Sequence, residues 1–211
     1  MIRLARVAGA LLALGAAVQA SADDGFRLFD ATAASVNGEV IFLSDVDREA
    51  CFYRCGAFPG DDPAPMTRAQ ARDKLVADAL VLQEQKKLGL GVLDNAALGD
   101  AASATSARLA ACADPCGRTV GADAAREFAA RRLIVREFLS KRIAVFVEVS
   151  DEEVDLEIRR RESRGDARPG DPSREKVRQD LTREKAAREI GNWYERAASK
   201  SRILLSPLED R

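Results

Sequence analysis

The chain has no histidine among its 211 residues. That removes the usual Ser-His and Cys-His nucleophile pairs. It also removes the one side chain whose ordinary pKa switches charge between about pH 5 and 8. Aromatics are only 5% of the chain, too few for the many short strands of a β-sandwich. No excess charge of one sign is present. There are 33 basic and 34 acidic residues, a formal net charge of −1, so the simplest electrostatic case for nucleic-acid binding is missing. No G-x4-G-K-[ST] phosphate loop occurs, and no cofactor is expected. No C-x-x-C redox motif occurs either.

What remains is a chain rich in charge (32%) with 46% hydrophobic residues. This is enough to build a core and well suited to long solvated helices. Residues 1–22 read as a signal peptide. Arg3 and Arg6 give a positive start, Val7 to Val18 an apolar run, and Ala20-Ser21-Ala22 a small-residue cleavage site. The apolar run is short for a bilayer span; the alternative is an uncleaved N-terminal anchor. Cleavage removes Arg3 and Arg6 and no acid, taking the charge from −1 to −3. No second membrane-spanning segment is expected. Residues 23–211 are then one domain.

Along that domain, Ala34–Val36 and Val40–Phe42 flank Asn37-Gly38, a pair suited to a type I′ hairpin turn. Ser44, with Asp47 three residues on, reads as the cap of a first helix ending near Cys55-Gly56. Thr67 and Gln70 form a capping box for a second helix, in which Ala71, Leu75, Ala79 and Leu82 recur at helical spacing. Lys86 and Lys87 suit its last turn, and Gly89 its end. Asp94 to Cys112 is an alanine-rich third helix, ended by Pro115 and Gly117. A fourth runs from about Ala122 to Ile143, with Phe128, Ile134, Val135, Phe138 and Leu139 on its apolar side. Val145–Val149 reads as a short extended bridge. Ser150 and Glu153 cap a short helix reaching about Glu162. Residues 163–173, rich in Gly, Pro and charge, form a loop. The last helix spans about Ser173 to Ser199, and Arg202–Leu205 is a strand. A lone strand needs a partner, so the two chain ends are predicted to meet in a three-stranded sheet. The fold class is mostly α with this small sheet.

The cysteines are Cys51, Cys55, Cys112 and Cys116, in two C-x3-C pairs. Export favours structural disulfides. A zinc site and redox catalysis are the other readings. Four thiols allow about three pairings, and spacing alone does not choose among them. A bond within the first helix is geometrically awkward, whereas the ladder Cys51–Cys116 and Cys55–Cys112 suits antiparallel segments. Such a link contributes about 4 kcal/mol in the chain-entropy model and would pin the first helix to the end of the third. Three further stretches have bland explanations. The acidic Ser150–Glu157 run reads as a capped first turn rather than a calcium loop. Arg159 to Arg164 reads as a solvated helix end rather than a basic docking patch. Trp193 and Tyr194 read as core rather than as a client anchor. No catalytic or metal-binding residue is expected.

The order of elements resembles the SurA-type periplasmic chaperones and their PpiC/parvulin-containing relatives. The likeness rests on "ASVNGEVIFLSDVD", "LVADALVLQEQKKLGLGV", "FAARRLIVREFLSKRIAVFVEVSDEEVD" and "REKVRQDLTREKAAREIGNWYERAASKSRILL". The resemblance implies a helical chaperone core domain that holds unfolded or partly folded exported proteins, with no nucleic acid as partner and no stable membrane insertion after signal cleavage. It implies ATP-independent action in the periplasm, on outer-membrane or envelope proteins. It assigns no client-binding residue. Relatives carry a parvulin-type prolyl isomerase domain where this chain has only 163–173, and their sites include histidine. A peptidylprolyl isomerase by homology would therefore lack its site here. A dedicated interaction or assembly module is the alternative function. The four cysteines fall outside the resemblance.

Overall fold

The computed structural model describes residues 30–89, 94–164 and 174–208. The expected signal peptide lies outside them, as does most of the 163–173 loop.

Strand β1 (Thr32–Val36) and β2 (Glu39–Phe42) form the hairpin. Asn37 and Gly38 both take positive φ, 53° and 92°, as the type I′ turn requires. The C-terminal β3 (Ile203–Leu205) pairs antiparallel with the other side of β1, giving the order β2-β1-β3. The chain ends therefore meet in one sheet, as expected. Asn37 ties this closure together. Its N–H donates to the Arg202 carbonyl at 2.8 Å and its Oδ1 accepts from the Arg202 N–H at 2.8 Å. Its amide also donates to Gln83 Oε1 at 2.8 Å.

Among the described residues, six α-helices follow the hairpin: α1 (Leu43–Arg54), α2 (Arg68–Lys87), α3 (Asn95–Ala110), α4 (Ala122–Arg142), α5 (Asp151–Ser163) and α6 (Arg174–Ser199). The capping boxes at Thr67/Gln70 and Ser150/Glu153 are both formed. The cap of α1 differs from expectation. Strand β2 runs into the helix without a loop, so Phe42 is the N-cap and Ser44 falls inside the first turn. The Phe42 N–H is met by Asp45 at 3.0 Å. The Ser44 N–H and hydroxyl instead donate to Asp30, at 3.2 and 2.5 Å, which the hairpin brings alongside. Asp47 is left to bind the Arg68 guanidinium at 2.6 and 2.9 Å, joining α1 to the start of α2.

Two other expectations are corrected. Pro115 and Gly117 do not simply stop α3; Pro115–Thr119 is a 3-10 turn capped by Asp114, which accepts from the Cys116 N–H at 2.9 Å. The expected extended bridge at 145–149 begins instead with a 3-10 turn over Ala144–Phe146.

The core is in three patches. One, around α1, α3 and α4, holds Phe52, Phe58, Leu98, Leu109 and Phe128 with the cysteines. A second lies under the sheet, where Ala34, Val36, Val46 and Leu75 meet Trp193 and Ala197 of α6. A third joins Val81, Val135 and Phe138 to Trp193 and Tyr194. Trp193 and Tyr194 are thus part of the packing, as the sequence suggested. Helix α5 packs chiefly on α6. In that pair Val154 and Val177 are fully buried, and ion pairs run along the joint. Arg174 pairs with Asp151 and Asp155, Arg178 with Asp151, and Lys185 with Glu153.

Candidate functional site

All four cysteines are in disulfides, Cys51–Cys116 and Cys55–Cys112, with Cα separations of 6.0 and 5.3 Å. This is the ladder that antiparallel segments suit. The zinc reading requires thiolates, and no cysteine is free. The ladder fixes α1 to the turn beyond α3. Arg54 reinforces it, donating to Asp114 at 2.8 Å. The Asp114 carboxyl is held below its usual value by the Cys116 N–H and by Arg54. Gly117 is required here, because a Cβ would lie 2.5 Å from the Leu109 carbonyl oxygen and 2.9 Å from Cys112 Cβ.

A cleft of about 840 Å³ opens beside Cys51–Cys116, along α1 and between it and the starts of α2 and α4. Its guanidiniums are already engaged: Arg48 with Asp45, Arg54 with Asp114, Arg68 with Asp47. It offers no free charge to a ligand.

Behind the first core patch lies a buried ionic cluster that the sequence did not reveal. Glu49 is 1% exposed and Asp78 fully buried. Arg131 reaches both, pairing with Glu49 and lying 3.4 Å from Asp78, and Lys74 pairs with Asp78. Burial pushes the Glu49 carboxyl above its usual pKa; Arg131 opposes the shift and Asp78 adds to it. Glu49 Oε1 has no hydrogen-bond partner among the described residues. Nearby, Arg132 donates to Asp61 at 2.7 Å and to the Tyr53 hydroxyl at 3.3 Å. Burial pushes the Tyr53 and Tyr194 phenols to about 12, so both stay protonated in ordinary conditions. Each Glu49 or Asp78 position, taken alone, reads as a solvated face of its helix. Only the convergence of α1, α2 and α4 shows that they are inside.

Neither a protein-family model nor a curated protein matches the chain.

Among the described residues, large apolar side chains lie exposed at Phe42, at Leu88 beyond α2, at Leu205 and in two groups. On the outer face of the sheet, Val40 and Leu204 flank Ser35 in one cross-strand row. Around the α5–α6 pair, Phe146 is 79% exposed, and Val145 and Leu156 are each 61% exposed. Leu156 and Leu181 form the apolar part of an open cleft of about 690 Å³ between the two helices. Glu153, Glu157, Lys185 and Arg188 surround it with both signs of charge. The Arg159–Arg164 run is not a free basic patch throughout, since Arg161 pairs with Glu157 and Asp180. Among the described residues, no helix is long and apolar enough to cross a membrane.

Proposed function

We propose that the protein is an ATP-independent holdase, exported to the periplasm, which binds unfolded or partly folded exported proteins through apolar surface on and beside the α5–α6 arm. The observation that carries this reading is the cleft between α5 and α6. It presents Leu156 and Leu181 inside a rim of mixed charge, with Phe146 and Val145 exposed just ahead of α5. An apolar patch rimmed by polar side chains is the kind of surface that marks an interaction site. The mixed rim favours no single charge on the partner, which suits varied clients. The resemblance to SurA-type chaperones and the order of the elements support the same reading, and the two disulfides fit an oxidising compartment. Prolyl isomerisation is not part of the proposal, because residues 163–173 are too few for a parvulin domain and the chain has no histidine.

The test is light scattering of two unrelated unfolding proteins, with and without the oxidised protein. Suppression of both near stoichiometric ratios is expected. Leu156→Asp combined with Phe146→Ser, both at exposed positions, is expected to abolish suppression while leaving the thermal midpoint unchanged. Suppression of neither protein would overturn the holdase and favour a dedicated assembly module with one fixed partner.

A further inference from the structure

Among the described residues, one face of the sheet is packed and the other is open to solvent. Alternation along the strands turns Ala34, Val36 and Ile41 inward, where all three are buried, and turns Val40 and Phe42 outward. The register aligns the outer face in rows, Phe42 beside Thr32, then Val40, Ser35 and Leu204. Val40 and Phe42 are each 43% exposed and Leu204 is 53% exposed. Beyond these rows, at the Asn37-Gly38 end, stands Arg202. It precedes Leu204 by two residues and so belongs to the same side. Its backbone is tied to Asn37, and the residue is exposed. Glu39 alternates to the opposite side, where the Gln83 amide donates to it at 3.0 Å. The outer face therefore runs from apolar at the α1 end to cationic at the turn end.

The chain enters the sheet at the α1 end. Asp30 is fixed there, accepting from the Ser44 N–H and hydroxyl. Residues 23–29, DDGFRLF, come just before it and lie outside the described residues. We propose that this segment turns back at Phe29 and lies extended across the outer face as an intramolecular strap. Leu28 then covers Phe42, Phe26 covers Val40 and Leu204, and Asp24 meets the Arg202 guanidinium. Three features of the sequence fit the face. In an extended segment Asp24, Phe26 and Leu28 share one side and Arg27 takes the other. Their order matches too: the apolar side chains are nearest Asp30 and the acid is farthest, as the face requires. The length also suffices. The face is as long as β1, five residues, or about 17 Å at the strand rise. Seven extended residues reach about 23 Å, which leaves room for the reversal. Nothing in the strap involves a client, so it is independent of the holdase reading.

NMR of the labelled, oxidised protein beginning at Asp23 tests this. Nuclear Overhauser contacts from the Phe26 ring to the Val40 and Leu204 methyl groups are expected. Phe26→Ser combined with Leu28→Ser should abolish them and shift both methyl signals. The same variant should raise Nile red fluorescence about twofold, as an apolar patch returns to solvent. Asp24→Lys should weaken the contacts about twofold, as should Arg202→Glu, and the two together should restore them by exchanging the signs of the pair. A purely structural role for Arg202 would give no such restoration. Should Arg202→Glu fail to fold, Asp24→Lys and the Phe26, Leu28 variant still decide the matter. Absence of the contacts, with Val40 and Leu204 signals identical in the unaltered protein and the Phe26, Leu28 variant, would overturn the strap. Shifts of those signals that grow with protein concentration and persist in that variant would also overturn it, assigning the face to a second copy. Shifts that appear only when an unfolded protein is added would overturn it in favour of a client.

Discussion

At the scale of single residues, Asp78 has the least tolerant position. It is fully buried on α2, and its two oxygens face Lys74 and Arg131. Arg131 also serves Glu49, so three helices share one guanidinium. Removing one partner of a buried pair leaves the other charge uncompensated and costs about 3–5 kcal/mol. Asp78→Ala is therefore expected to destabilise the fold by roughly 3 kcal/mol or more, measured by urea unfolding. Asp73→Ala, at an exposed position on the same helix where the carboxylate pairs with its neighbour Arg72, is expected to change stability by less than about 1 kcal/mol. A similar loss in both would mean that the cluster is solvated rather than buried.

At the scale of elements, the ladder and the arm are built on opposite principles. Helix α1 is fixed to the turn beyond α3 by two covalent links closing separations of 65 and 57 residues. Loss of a native disulfide from a small exported domain typically costs about 2–5 kcal/mol. The double variant Cys55→Ala, Cys112→Ala should fall in that range by chemical denaturation, with the Cys51–Cys116 link intact. An unchanged midpoint would show that the second link is redundant. The arm, by contrast, has little apolar burial and many ion pairs, most of them half-exposed. These elements also differ in how far the sequence disclosed them. Local signals were sufficient wherever a residue answers only to its own segment: the Asn37-Gly38 turn, the Thr67 and Ser150 boxes, the spacing of Leu75 and Ala79. They failed where a distant residue intervenes. Ser44 has the composition of a cap, but Asp30 and the direct passage from β2 into α1 take over that role. Gly117 looked like a helix stop; its real constraint is the approach of the Leu109 carbonyl and Cys112. Glu49 and Arg131 carry no periodic mark of their pairing, being 82 residues apart. The disulfides lay between these cases. Spacing left the pairing open, and the antiparallel meeting of α1 with the turn after α3 decides for the nested ladder Cys51–Cys116 and Cys55–Cys112.

At the scale of the whole molecule, the carboxylates divide into two populations with opposite pH responses. Glu49 sits above its usual value of 4.5 because burial and Asp78 outweigh Arg131, Lys74 and Arg132. A carboxyl whose folded pKa is raised binds its proton more readily in the folded state. Its protonation therefore stabilises the fold as pH falls from above that raised pKa down to the unfolded value. Asp30, Asp114 and Asp151 are held below their usual 3.8. The Ser44 hydroxyl acts on the first, the Cys116 N–H on the second and Arg178 on the third. Their stabilisation is complete above 3.8 and is lost as pH falls through the lower folded values. Glu153, lowered from 4.5 by Lys185 and the Ser150 N–H, follows the same direction. These groups fasten the start of α1, the turn after α3 and the α5–α6 joint, so acid acts on all three at once. The thermal midpoint is expected to rise as pH is lowered from neutral toward about 4.5, then to fall below about 3.8, where the linkage changes sign. Glu49→Gln should flatten the upper arm of this profile and leave the acid arm intact. A midpoint that falls monotonically from neutral pH in the unaltered protein would show that Glu49 is already solvated in the fold.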